Sequence, residues 1–375
     1  MNARDKLSLE WAAGLYHHET NPERDIVLKE AYYKRLKAVE EGVETDWLSQ
    51  PLHVGVGQNY NLRFEGGSEE FRWSASLGYK DIQGAMIGSG RKTFSGGVTL
   101  SYSYKNLTFR NQTSIGSNKS EESPYGSFSD YARQQPYNAP WTDDGKLNRY
   151  FDGWDAWETQ VQNPLYDATL GNIDKSGYVE IINNFSVEWK MTPELTLRGK
   201  FGISHTNNTS DMYKSPESSE FKDYTGDQVL RKGRYVYTTG KANTYEGNVT
   251  LSYAKVFGEV HSLYAGLDAS IAQNDSYSYG FTMEGFTNDR PFLGNALNYA
   301  ENDMPSASEY TTRRLGLVGN VNYVYDNRYY VDLSLRTDGS SQFGSDKRFG
   351  TFWSAGLGWN VHNEHFWGEN PYLNT

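Results

Sequence analysis

Residues Arg336 to Trp359 read RTDGSSQFGSDKRFGTFWSAGLGW. Before this stretch, Tyr329, Val331, Leu333 and Leu335 alternate with Tyr330, Asp332, Ser334 and Arg336. Towards its end, Trp353, Ala355, Leu357 and Trp359 alternate with Ser354, Gly356, Gly358 and Asn360. Side chains on a strand point to opposite faces with a period of two, so both runs are strands with one apolar face. The Gly, Ser, Asp and Lys between them form a connecting loop.

The 375 residues contain 29 Tyr, 10 Trp, 17 Phe and 37 Gly, with only 37% hydrophobic and 22% charged residues. That mix suits β-structure with large wetted surfaces. A net charge of −11 and the lack of a long basic run exclude a nucleic-acid partner, since phosphate neutralisation needs clustered Lys and Arg. Cysteine is absent, which removes disulfide frameworks and thiolate metal sites. No apolar run reaches the roughly 18 residues of a transmembrane helix. A transmembrane barrel stays open at a mean hydropathy of −0.75, because its strands need only one apolar face over about 9–11 residues. The start, MNARDKLSLEW, is no signal peptide, so the chain either stays in the cytoplasm or is a fragment.

Residues 1–57 have helical spacing. Asn2 can cap a helix carrying Leu7, Trp11 and Leu15, and Asn21-Pro22 opens a second helix running to Gly42. From Asn59 the period becomes two. The run to Glu65 and the run Phe71–Lys80 form a hairpin across Gly66, Gly67 and Ser68. Further runs follow at Phe94–Tyr104, Leu107–Ser117, Val179–Met191, Leu195–His205, Tyr245–Tyr253, His261–Ile271 and Leu315–Tyr325, which with the opening pair makes eleven strands. Their connections alternate. Short ones at 66–68, 105–106, 192–194, 254–260 and 326–327 interleave with longer ones at 81–91, 118–178, 206–244, 272–314 and 336–352. Outer-membrane barrels have this asymmetry, tight turns at one end and long loops at the other, whereas soluble sandwiches mix connection lengths. Residues 58–375 are therefore expected to form an antiparallel up-and-down transmembrane sheet. Its convex face should carry Trp73, Phe185, Trp189, Leu197, Leu251, Leu333 and Leu357. Residues 1–57 are expected at the end of the long loops.

The opening stretch resembles the R-x-DGSS-x-FG…R-x-G-x-F-x-S-x-x-x-x-W signature of the SusC/RagA family of TonB-linked outer-membrane proteins of Bacteroidota. TDWLSQP, QNYNLRFEGG, SASLGYKDIQGAMIGS and RRLGLVGNVNYVYDNRYYVDLSLRTDGSS are similar to the family's successive barrel segments, in the family's order. The resemblance implies about half of a barrel of roughly twenty-two strands. It also implies an internal fragment, without plug domain or TonB box before residue 1 and without the further strands that family members carry after PYLNT. Its implied function is import of oligosaccharides or peptides, with a SusD-like surface lipoprotein as lid, TonB–ExbBD acting through the missing plug, and outer-membrane lipid around the barrel.

The signature residues Arg336, Asp338, Gly339, Ser340, Ser341, Phe343 and Gly344 read first as a loop that ties strand tops together. The connection 119–177 is rich in aromatics among Asp, Asn, Gln and Gly, and Trp141, Tyr150, Trp154 and Trp157 are candidate ligand-stacking residues. The competing reading is a folded loop with its own small core. His362 and His365 lack a third ligand in sequence, and TDDGK at 142–146 lacks the spaced ligand set of a calcium loop. No nucleophile elbow, P-loop or dinucleotide fingerprint occurs. Glu180 and Glu188 share a face but stand roughly 26 Å apart along a strand, too far for a glycosidase pair. No enzyme, cofactor or metal is expected. The alternative to an importer is a soluble or surface-attached β-rich module that grips a glycan.

Overall fold

The computed structural model describes residues 1–153, 160–290, 293–301, 303–344 and 346–368. After two helices, α1 (Ala3–Ala12) and α2 (Pro22–Glu40), the chain enters one large antiparallel sheet. Its strands are β1 (Gly57–Gly67), β2 (Phe71–Gln83), β3 (Gly90–Tyr104), β4 (Leu107–Glu121), β5 (Ile173–Lys190), β6 (Leu195–Lys214), β7 (Arg234–Phe257), β8 (His261–Phe286), β9 (Ser306–Tyr325), β10 (Tyr329–Ser340) and β11 (Phe349–Trp359). Each pairs with its neighbour in sequence, and a short extra strand, Ala296–Tyr299, adds to the far end of β8.

Both helices begin as the sequence requires. The Asn2 side chain accepts a hydrogen bond from the Asp5 amide, and Asn21 accepts one from Arg24 with Pro22 in the first turn. At the short-turn end, Lys105, Glu259, Asp326 and Asn327 take positive φ, the left-handed backbone of tight hairpins.

The strands run further than the expected boundaries at the other end. β6 continues to Lys214 and β7 already begins at Arg234, so most of 206–244 is sheet rather than loop. The same holds for 272–314, where β8 reaches Phe286 and β9 starts at Ser306. The expected ends fell where apolar alternation stops. Just beyond that level the alternation is interrupted by polar residues such as Gln273, Asn274 and Asp275, and main-chain pairing between neighbours carries the strands on.

Register sorts the side chains into two faces. Opposed residues Leu197, Leu251, Leu267, Gly319, Leu335 and Trp353 form one row, and Trp73, Phe185, Trp189, Leu333 and Leu357 lie on the same face. This face is uncovered: Trp353 is 78% exposed and Leu357 86%. On β8 it stays apolar from Leu263 to Ile271 and then meets Gln273 and Asp275. At about 3.4 Å per residue and a tilt near 40°, that band is roughly 21 Å high, close to the lipid-facing band of an outer-membrane barrel. At its short-turn edge Tyr325 stacks near Tyr329 (6.3 Å between centroids) and Tyr329 near Trp359 (6.4 Å), a row of interfacial aromatics. No helix among the described residues is long and apolar enough to cross a membrane.

The helices dock on the connection between β4 and β5. Trp47 Nε1 donates to the Gln135 carbonyl at 2.9 Å, and the Thr45 amide to Pro136 at 2.9 Å. Two small cores result, Ala3, Leu7, Tyr16 and Tyr137 in one, Trp47, Tyr131, Phe151 and Leu165 in the other.

Candidate functional site

The second face is polar. Arg110, Ser186, Lys200, Asn248, Ser270, Gly316 and Asp338 oppose one another across seven strands, β4 to β10. The next row is Gln112, Asn184, Gly202, Glu246, Ala272, Arg314 and Ser340. Both rows line a single hollow of about 810 Å³. The hollow follows these two polar rows across seven adjacent strands, with the intervening Phe185, Phe201, Ile271 and Leu315 also at its lining. The strongly exposed apolar row on the other face fits a sheet whose charged face is concave and apolar face convex. That is the reverse of a soluble β-barrel, whose interior is apolar.

Charge on the concave face is partly compensated. Arg198 Nη2 meets Glu188 at 2.5 Å, and Asp268 accepts from Asn248 Nδ2 (2.6 Å) and Thr250 Oγ1 (2.7 Å). Arg110, Lys200 and Arg314 make no ion pair or side-chain hydrogen bond with one another or with any other described residue on this face. The period of two in the sequence places Lys200 and Asp268 on the face opposite Leu197 and Leu267. It does not single out Arg110 or Arg314, because a hollow spanning seven strands depends on inter-strand register, which no local pattern contains.

The signature stretch stands at the rim of this hollow. Arg336 Nε donates to Asp338 Oδ2 at 2.5 Å, and Arg336, Asp338, Gly339, Ser340 and Phe343 all contribute to its wall. Ser341 clips to β9 in both directions: its amide donates to the Arg313 carbonyl, and its Oγ accepts from the Arg313 amide, both at 2.9 Å. The Ser340 amide donates to Arg348 and its Oγ accepts from Gln342. Gly344 has open space around it. These bonds bind β9, β10 and the entry to β11 at one height.

Of the aromatic candidates, Trp141 is 55% exposed in a bridge with Leu147. Tyr150 is half-buried in a two-residue ladder opposite Gln162, with the Arg149 guanidinium 5.6 Å from its ring centre. Trp154 and Trp157 lie outside the described residues. Tyr131, Tyr137 and Phe151 are buried in the loop's own cores. Burial pushes the Tyr131 and Tyr137 phenols well above their ordinary pKa.

An antiparallel meander with a polar concave face, an uncovered apolar convex band and aromatic residues at its edge has the fold of the barrel wall of TonB-dependent receptors. The resemblance to SusC/RagA holds in both sequence and fold. The chain is 24% identical over 347 residues to the TonB-dependent receptor SusC of Bacteroides thetaiotaomicron, covering 86% of this chain and 33% of SusC. It is 26% identical over 330 residues to TonB-dependent receptor P39 of Formosa agariphila, covering 86% of this chain and 30% of P39. The solved RagAB peptide transporter superposes with a TM-score of 0.76 at 19% identity, over 99% of this chain and 43% of that one. The chain thus spans about a third of the length of the curated relatives it matches. No family model matches it.

Proposed function

We propose that this chain forms part of the wall and outer loops of a TonB-dependent outer-membrane importer for oligosaccharides or peptides. The observation that carries this reading is the inverted polarity of the sheet, apolar outside and charged inside. The helices, residues 1–57, and the long connections 118–178, 206–244 and 272–314 then face the outside, and the short turns face the periplasm. Arg336 to Gly344 hold strand tops at the rim, and the aromatic connection with Trp141, Tyr150, Trp154 and Trp157 meets ligand or a SusD-like lid lipoprotein. TonB–ExbBD supplies energy through a plug domain that this stretch does not include. No bond is made or broken, so no catalytic group is required. The test is to tag the full-length protein, fractionate cells and follow oligosaccharide uptake. Sedimentation with the outer membrane, resistance to high-salt extraction and uptake that stops when TonB is deleted are expected. Release by salt into the soluble fraction would leave the glycan-gripping module instead.

A further inference from the structure

Resting on the importer reading, which turns the long connections outward, we infer that the cleft lined by residues 124–134, 160–172 and 214–222 binds a short acidic oligosaccharide. Arg133 and Lys214 are its carboxylate-binding groups. The cleft holds about 600 Å³, within the roughly 300–1,000 Å³ of small-molecule sites.

Its frame is rigid because two connections distant in sequence are bonded to each other. Gln134 Nε2 donates to the Gln162 carbonyl at 3.1 Å, and Gln162 Nε2 donates to the Ser219 carbonyl at 2.7 Å. The Asp167 carboxylate accepts from Ser218 Oγ (3.0 Å), Ser219 Oγ (2.6 Å) and the Ser219 amide (3.0 Å), and both serines are buried. Such a frame holds its shape without a ligand, which lowers the ordering cost of binding one.

Within this frame, Arg133 and Lys214 line the cleft without an ion pair or side-chain hydrogen bond among the described residues. They come from different segments, one following the short helix Phe128–Ala132 and the other ending β6. In a chain of net charge −11, two uncompensated cations facing one small cleft give an incoming anion charge-assisted contacts that no carboxylate among the described residues already takes. Two carboxylates oppose an anion there: Asp167, which is held by Ser218 and Ser219, and Asp130, whose carboxylate lines the cleft without a partner among the described residues. The remaining chemistry suits a sugar. Tyr125 offers an aromatic ring and the glutamines offer amides for hydroxyls, while among the described residues Val161 and two prolines are the only apolar lining, which gives apolar peptide side chains little to bury against.

The experiment is calorimetry on the full-length protein in detergent with trigalacturonate, maltotriose and triglutamate as probes. The parent should bind trigalacturonate more tightly than the other two, and more weakly as salt rises. Arg133→Ala and Lys214→Ala should each weaken trigalacturonate about tenfold or more, and Asp130→Asn should tighten it, with maltotriose unchanged throughout. Both cations lack partners, so these variants should keep the parent's heat-modifiable mobility on gels. Folded Arg133→Ala and Lys214→Ala proteins that bind trigalacturonate like the parent would overturn the site. Triglutamate binding as tightly, with the same sensitivity to both substitutions, would overturn the saccharide class. Failure of the importer reading appears separately, as a protein outside the outer membrane that still shows these effects.

Discussion

Two glycines of the signature stretch behave differently although the sequence presents them alike. A Cβ on Gly339 would lie 2.5 Å from Phe349 Cε1 and 2.7 Å from Cδ1, because the Phe349 ring lies across the glycine of the neighbouring strand. A Cβ on Gly344 would meet nothing within 4 Å. An aromatic ring laid over a bare cross-strand glycine fills the gap that the missing side chain leaves. Gly339→Ala should therefore push the ring aside and cost about 1 kcal/mol, the usual size of a cross-strand pair, whereas Gly344→Ala should be neutral. Urea titration of the full-length protein in lipid vesicles measures both. Equal midpoints for the two variants would show that the ring moves away freely. The sequence reads DGSS as a loop at the strand tops, whereas Asp338, Gly339 and Ser340 are the last residues of β10, paired with Gly316, Leu315 and Arg314 of β9. That Gly339 serves a ring ten residues later on the next strand was not legible, since that contact depends on the β10–β11 register.

At the scale of elements, the helices are held to the loop end by a buried carboxylate. Glu10 is 3% exposed, and its oxygens accept from Tyr16 OH at 3.0 Å and Tyr137 OH at 3.2 Å, with Lys6 Nζ at 3.4 Å. Arg35 braces the group, donating to Tyr16 OH at 2.9 Å and to the Gly153 carbonyl at 2.8 Å. Tyr137→Phe removes one donor from a buried charge and should loosen this clasp by about 1–3 kcal/mol. Limited proteolysis should then cut between residues 121 and 153 while the sheet stays intact, and an unchanged cleavage rate would refute the clasp. Alkali should act likewise. Burial pushes the Tyr16 phenol up to about 12 from its ordinary 10.0, so its contribution is complete below pH 10 and is lost as pH climbs from there through about 12. Helix starts, strand number and strand order were legible because caps and period-two runs are local. In the upper halves of β7 and β8 the alternation is broken by runs such as Thr238-Thr239-Gly240-Lys241 and Gln273-Asn274-Asp275-Ser276, and the loop cleft draws on three separated segments, so neither has a continuous local signature.

For the whole molecule, the decisive question is which face meets lipid, and adjacent residues of one strand can answer it. Leu335 stands 55% exposed in the apolar row with Leu267 and Trp353, while Ser334 points to the concave side opposite Asn320. On a lipid-facing surface, a lysine near mid-height costs about 2–4 kcal/mol, whereas lumen positions tolerate charge. Leu335→Lys should therefore lower the folded fraction in the outer membrane and shift urea unfolding in vesicles by that amount. Ser334→Lys, on the same strand and at the same height, should leave both near the parent values. A soluble sandwich predicts a different outcome. Its apolar face would be covered by a second layer, the protein would fold without lipid or detergent, and vesicles would not separate the two variants. Two variants that behave alike in vesicles, or greater damage from Ser334→Lys, would mean that the sheet is curved the other way around its membrane, and the importer reading would fall with it.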